Sequence, residues 1–239
     1  MLRNILTPLL FVLAIILLLE FSLRLYIYKL DAFSFAKTNS YGLLIDSDLV
    51  QRAANTDVYY ELKPDLDTYL AGKKLLTNSR GLADDEYSLA KPADTYRVVV
   101  AGSSWTMATR VELPDAYHSV LERKLSTHMA PQKAEFINLG VENYGLSEIV
   151  ASVRDKGLAY DPDMIIFAIT SITPAFLWED EKPPFEQPST VPAFWQSYLF
   201  SSVMELLGRK SYSRTKRPVM SKDRRSYMKQ VSRSLPFVG

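Results

Sequence analysis

A serine at the end of an apolar run is the first residue in this chain whose setting suggests chemistry. Tyr96-Arg-Val-Val-Val-Ala-Gly-Ser-Ser-Trp-Thr106 carries Ser104 directly behind a β-branched stretch and Gly102. A serine becomes a nucleophile only where a neighbouring base takes its proton and hydrogen-bond donors await the oxyanion that forms. Ser104 has the placement, and its own N–H is one such donor. Ser103, Ser104 and Thr106 equally suit the cap of a following turn or helix, where hydroxyl residues are favoured. Bases are scarce: the 239 residues include two histidines, His118 and His128. Cysteine is absent, which excludes disulfides and thiolate metal sites. Glu179, Asp180 and Glu181 are consecutive, and consecutive acids do not converge on one face, so they read as a solvated loop.

The elements around these residues alternate. Val98–Ala101 predicts a buried strand ending in a tight turn at Gly102. Pro114 suits the first turn of a helix running through Leu125, with Ala116, Val120, Leu121 and Leu125 on one face. That helix carries both histidines away from the serine, His128 by ~21 Å at 1.5 Å per residue, so both read as partly exposed or C-terminal helix histidines. A second strand over Phe136–Leu139, a helix from Ser147 to Gly157 and a third strand over Met164–Ile169 follow, with Asp161-Pro162-Asp163 as the turn between the last two. Strands alternating with helices predict a parallel sheet. The unbroken apolar character of Val98–Ala101 and Met164–Ile169 predicts burial on both faces. Ser104 then lies outside the carboxyl end of a strand, where such sheets hold their ligands.

The order of these pieces resembles the SGNH (GDSL) hydrolase family, in its bacterial branch with an N-terminal membrane anchor. The first block of that family, Gly-Asp-Ser-x-Thr, stands here as Gly102-Ser103-Ser104-Trp105-Thr106: the nucleophile position is kept at Ser104 and the aspartate is replaced. Phe136-Ile-Asn-Leu-Gly-Val-Glu-Asn-Tyr-Gly145 resembles the second block, and the family's oxyanion glycine falls on Asn143, a residue that tolerates positive φ. Gly157–Phe167 resembles the approach to the third block, and Thr77-Asn-Ser-Arg-Gly81 an upstream stretch in which Asn78–Gly81 reads as a turn and Arg80 as a distant candidate. The third block itself lacks its asparagine: Ala168-Ile-Thr-Ser-Ile-Thr-Pro174 has Ile172 at or beside that position. Losing one such donor costs ~10²–10³ in turnover. The family's Asp-x-x-His has no counterpart in the chain.

The likeness covers residues 59 to 175. It implies a three-layer α/β/α, flavodoxin-like parallel sheet, incomplete as read here. It implies a serine esterase or acyl hydrolase of extracytoplasmic esters on carbohydrate or lipid, with Ser104 as nucleophile and Asn143 as backbone oxyanion donor. With the base absent and the family's aspartate and asparagine replaced, the chain reads as an inactive or degenerate homologue, or as one truncated before its base. The other reading is a non-catalytic, membrane-tethered binding or assembly component on the same scaffold. No residue pattern calls for a cofactor or a metal.

The remaining chain divides into four stretches. Residues 1–30 predict a membrane anchor: Ile5–Leu19 is nearly all apolar and the run continues to Tyr28, long enough for the ~20 residues a bilayer requires. Glu20 and Arg24 can pair four apart, and Tyr26 and Tyr28 suit an aromatic belt. A cleaved signal peptide would need a small-x-small site shortly after Leu19, and none stands there. Membrane lipid is thus the expected partner of residues 5–28, with the main domain, residues 93–175, placed outside the cytoplasm by the resemblance. Residues 31–92 read as an irregular linker in which Val58–Leu62 suits a short strand. Residues 176–239 combine an acidic, proline-rich insertion, an aromatic amphipathic helix over Ala193–Leu207 and a basic tail. From Arg209 onward ten Lys or Arg face one acid, Asp223, a balance suited to anionic lipid or an acidic partner. Aromatics are too sparse there for a nucleic-acid surface.

Overall fold

A computed structural model describes residues 2–34, 38, 44, 47–54, 57–70, 72–170, 199 and 203. It is a mixed α/β structure with a parallel sheet and an N-terminal apolar helix. The first helix, α1 (Leu2–Tyr28), contains Pro8 and leads into a 3₁₀ turn at Lys29–Phe33. The helical stretch Leu6–Phe33 is long and apolar enough to cross a membrane, its mean hydropathy reaching 2.5 over eighteen residues of which none is buried. Glu20 and Arg24 form the expected pair at 2.7 Å. Tyr26 is exposed, as a belt residue would be, but Tyr28 is not: it is buried edge-on against Tyr69 at 4.7 Å.

Residues 31–92 hold more regular structure than an irregular linker. Two antiparallel pairs form: β1 (Val50–Arg52) with β2 (Tyr60–Leu62), and β3 (Asp67–Leu70) with β4 (Lys73–Leu76). These strands are three or four residues long, too short for a two-residue alternation to stand out against the surrounding polar sequence. The strand expected within Val58–Leu62 is β2. The Asn78–Gly81 turn is also present, with Asn78 Oδ1 accepting the amides of Arg80 and Leu82 and Gly81 at φ +70°.

The parallel sheet has β5 (Thr95–Gly102) at its centre, between β6 (Lys133–Asn138) and β7 (Met164–Ala168). Val99 stands opposite both Ile137 and Ile165. Successive side chains of β5 leave on opposite faces, as the strand pleat requires. Val98 and Val100 pack with Ala134, Phe136 and Leu125 of α3 (Tyr117–Met129). Val99 and Ala101 pack with Ile149 and Ala151 of α4 (Leu146–Ser152), and this cluster continues into residues of β1 to β4. A helix therefore covers each face of the central strand.

Three details depart from expectation. A 3₁₀ turn at Leu113–Asp115 takes Pro114, so α3 starts at Tyr117, and Leu121 is exposed while Ala116 and Leu125 face the core. The helix expected to reach Gly157 relaxes after Ser152 into a π turn, Val153–Gly157. The burial on both faces expected of Met164–Ile169 is not found: Met164, Phe167 and Ile169 are exposed and the residues between them half-buried, among the described residues. The free edge of β6, by contrast, is stitched by side chains: the amides of Ala134, Phe136 and Asn138 donate to Ser126 Oγ, Glu122 Oε2 and Asp84 Oδ2 at 2.9, 2.7 and 2.7 Å.

Candidate functional site

Ser104 sits where β5 gives way to a single helical turn, α2 (Ser104–Met107). The carbonyl of Ser103 accepts the amides of Thr106 and Met107 at 2.9 and 3.0 Å, and Ala108 closes the turn in the left-handed region at φ +58°. The Ser103 side chain makes no cap bond. Two glycines let this turn press against the end of the sheet. A Cβ on Gly102 would lie 2.0 Å from Thr106 Oγ1, and one on Gly140 would lie 2.3 Å from the Met107 amide nitrogen. Thr106 is fully buried beneath the turn, and its Oγ1 accepts a hydrogen bond from Tyr117 Oη at 3.1 Å, which fastens α2 to α3. Ser104 itself is half-buried and Trp105 beside it is 69% exposed.

The loop after β6 closes the other side of α2. The Val141 amide donates to Gly102 O at 3.4 Å and the Glu142 amide approaches Met107 Sδ at 3.3 Å. Asn138, fully buried, orders the loop from below: its Oδ1 accepts the Gly140 amide at 2.8 Å and its Nδ2 donates to Ala83 O at 3.2 Å. From outside, the Leu44 amide donates to Glu142 Oε2 at 3.0 Å and Tyr60 Oη to Glu142 O. Tyr144 Oη donates in turn to Tyr60 O at 2.5 Å. Burial holds the hydroxyls of Tyr60 and Tyr144 protonated, their pKa values pushed well up. Within this frame Asn143 takes φ +64°, the left-handed conformation anticipated for it. Ser104 and Asn143 thus stand on neighbouring loops at the carboxyl end of the sheet.

The histidines stand elsewhere. His128 is exposed, its Nδ1 2.8 Å from Lys124 O. His118 is 1% exposed, so the expectation of a partly exposed residue is corrected. The 3₁₀ turn ahead of α3 rotates it inward, against Asp84, where Nε2 lies 3.5 Å from Oδ1. Asp84 is also buried and receives the amides of Asn138 and Asp85. Burial is the largest influence on its carboxyl and raises its pKa. Among the described residues the Ser104 hydroxyl forms no hydrogen bond with either histidine. The arrangement can present a hydroxyl and backbone donors to a carbonyl, and it leaves proton removal unassigned.

Asp84 carries no sequence signal, since an acid in Ala83-Asp84-Asp85-Glu86 looks solvated until β6 is laid beside it. Arg80 stacks over Tyr160 at 5.5 Å, a contact that explains it without a substrate. Glu148 is buried at the start of α4, where its carboxylate accepts the Gly145 amide at 3.1 Å. A shallow groove bordered by Lys74, Leu76, Met107, Ala108 and Val111 runs along the far side of α2. No cluster of acids and histidines suited to a metal occurs among the described residues. Ile172 with the rest of the third block, Glu179–Glu181 and the tail from Arg209 lie outside the described residues, as does Ala193–Leu207 apart from Leu199 and Val203.

In comparisons with known proteins, no family model matches the chain and no curated protein matches it.

Proposed function

We propose that the chain is a membrane-tethered, SGNH-hydrolase-like protein in which Ser104 keeps the nucleophile position without a base of its own. α1 anchors it as a single span and the α/β domain lies outside the cytoplasm, an orientation carried by the family resemblance. The observation behind the reading is the pairing of a half-buried Ser104 at the β5 terminus with His118 sealed against Asp84. A serine whose proton has no acceptor attacks esters poorly. The 239-residue protein in detergent should therefore show no turnover of a short-chain aryl ester above buffer. A measurable rate abolished by Ser104→Ala would sink the inactive reading.

A second reading rests on Asn143. Its positive φ is compatible with the backbone geometry of an oxyanion donor. On this reading the base comes from outside the described residues or from a partner protein, and the substrate is an ester on extracytoplasmic carbohydrate or lipid. The Ser104 oxygen would attack the acyl carbon as its proton passes to that base, and the alcohol would leave. Covalent labelling of Ser104 by a fluorophosphonate favours this reading, and its absence favours the first.

A further inference from the structure

The apolar helix and the Ser104 end of the sheet are connected by one short chain of contacts through the β3–β4 hairpin. Tyr28 at the end of α1 stacks edge-on with Tyr69 of β3. Tyr69 Oη donates to Asp31 Oδ2 at 2.8 Å, and Lys74 Nζ of β4 lies 3.9 Å from the same carboxylate oxygen. On the other side of the hairpin, Lys73 Nζ lies 3.8 Å from Glu112 Oε1, in the segment that follows α2. The groove beside α2 is bordered by Leu76 from the hairpin and Val111 from that segment. Little distance separates these parts from the span: the seven helical steps from Phe21 to Tyr28 cover ~10 Å of helix axis. The turn after α1 folds back along it, so that Phe33 meets Phe21 at 5.5 Å.

Large apolar side chains are exposed along this path, with charges of both signs beside them, Asp67 and Asp115 among the acids. Leu30 is 82% exposed and Phe33 is also exposed; Leu76, Val111 and Trp105 continue the series on the domain. Lys29, Lys73 and Arg110 are exposed among them. Bulky apolar and indole side chains flanked by charged residues match the acyl–headgroup boundary of a bilayer, where tryptophan in particular is favoured.

We propose that the hairpin turns the Ser104 end of the domain toward the membrane, and that Trp105, Val111, Leu76, Leu30 and Phe33 form a second contact with the lipid surface from which α1 emerges. The occupant is the bilayer itself, because this surface continues that of the apolar helix. The inference rests on the reading of α1 as an anchor. It adds that whatever reaches Ser104 arrives from the membrane face, as a lipid or a lipid-linked ester.

The full chain with Trp178→Phe and Trp195→Phe keeps Trp105 as its one tryptophan. It is reconstituted into vesicles of phosphatidylcholine and phosphatidylglycerol, with and without acyl chains brominated near the headgroup. Trp105 emission is expected to fall by roughly half with the brominated lipid, as befits an indole at the interface. The chain has no cysteine, so Trp105→Cys bearing an environment-sensitive fluorophore repeats the measurement in an otherwise unaltered sequence. Carbonate extraction of the same vesicles separates the two claims. A chain retained in the membrane with an unquenched, iodide-accessible reporter overturns the second contact alone, whereas release into the soluble fraction overturns the anchor and this inference with it.

Discussion

At the amino end of β5 a fully buried Arg97 donates to one carboxylate and two carbonyls, whereas toward the carboxyl end an equally buried His118 meets Asp84 only at 3.5 Å. Arg97 Nε donates to Glu135 Oε2 at 2.7 Å, its Nη1 to Tyr160 O at 2.6 Å and Leu89 O at 3.2 Å, and its Nη2 lies 2.6 Å from Glu135. The Arg97 backbone exchanges bonds with Asp163, whose carboxylate also holds Lys91 at 2.8 Å. Those partners hold the Asp163 carboxyl below its usual pKa, the Arg97 amide contributing most. Asp84, facing His118, is shifted the opposite way by burial. One end of the strand is fastened by matched charges. The other carries polar groups whose desolvation is only partly offset, which is the pattern expected where a fold departs from its own packing rules at a site.

The largest test removes the fastening. Arg97→Met leaves two carbonyls and the part-exposed Glu135 without their donor, and each buried acceptor left unsatisfied costs about 1–3 kcal/mol. Denaturant unfolding of the chain in detergent should show it, and an unchanged midpoint would deny that the amino end is the stronger of the two. Next in size, Gly140→Ala drives a methyl group into the Met107 amide at the carboxyl end. Overpacking of that kind costs about 1–3 kcal/mol, and it should loosen α2 while leaving the amino end intact. Rapid hydrogen exchange confined to residues 103–109 and 140–144 is the expected signature.

The smallest effect sharpens the comparison most, because its sign differs between the ends. A carboxyl with a lowered folded pKa stabilises above its ordinary value of ~3.9 and loses that contribution as pH falls through the folded pKa. The advantage of the parent over Asp163→Asn should therefore shrink on acidification. A carboxyl with a raised folded pKa behaves the other way, its favourable contribution being complete below ~3.9 and lost as pH rises through the folded pKa. Asp84→Asn should gain on the parent as pH climbs. Unfolding midpoints across the acidic range read both slopes, and slopes of the same sign would erase the distinction between the two ends.

Much of the framework was legible in local sequence. Val98–Ala101, Phe136–Asn138 and Met164–Ala168 are strands because β-branched and aromatic runs bounded by turn residues have few other ways to bury themselves, and α1 declares itself by length and hydropathy alone. The left-handed Asn143 was legible too, through a position suited to positive φ. Of the short antiparallel pairs of residues 50–76 only β2 was legible, since strands of three or four residues carry too little alternation to stand out. Nor was the inward turn of His118, the burial of Asp84 under β6 or the docking of Tyr28 on Tyr69. A side chain's own neighbours set its helix or strand; whether a histidine faces water or a carboxylate is settled by what packs against that element from elsewhere, and only the tertiary structure brings those partners together.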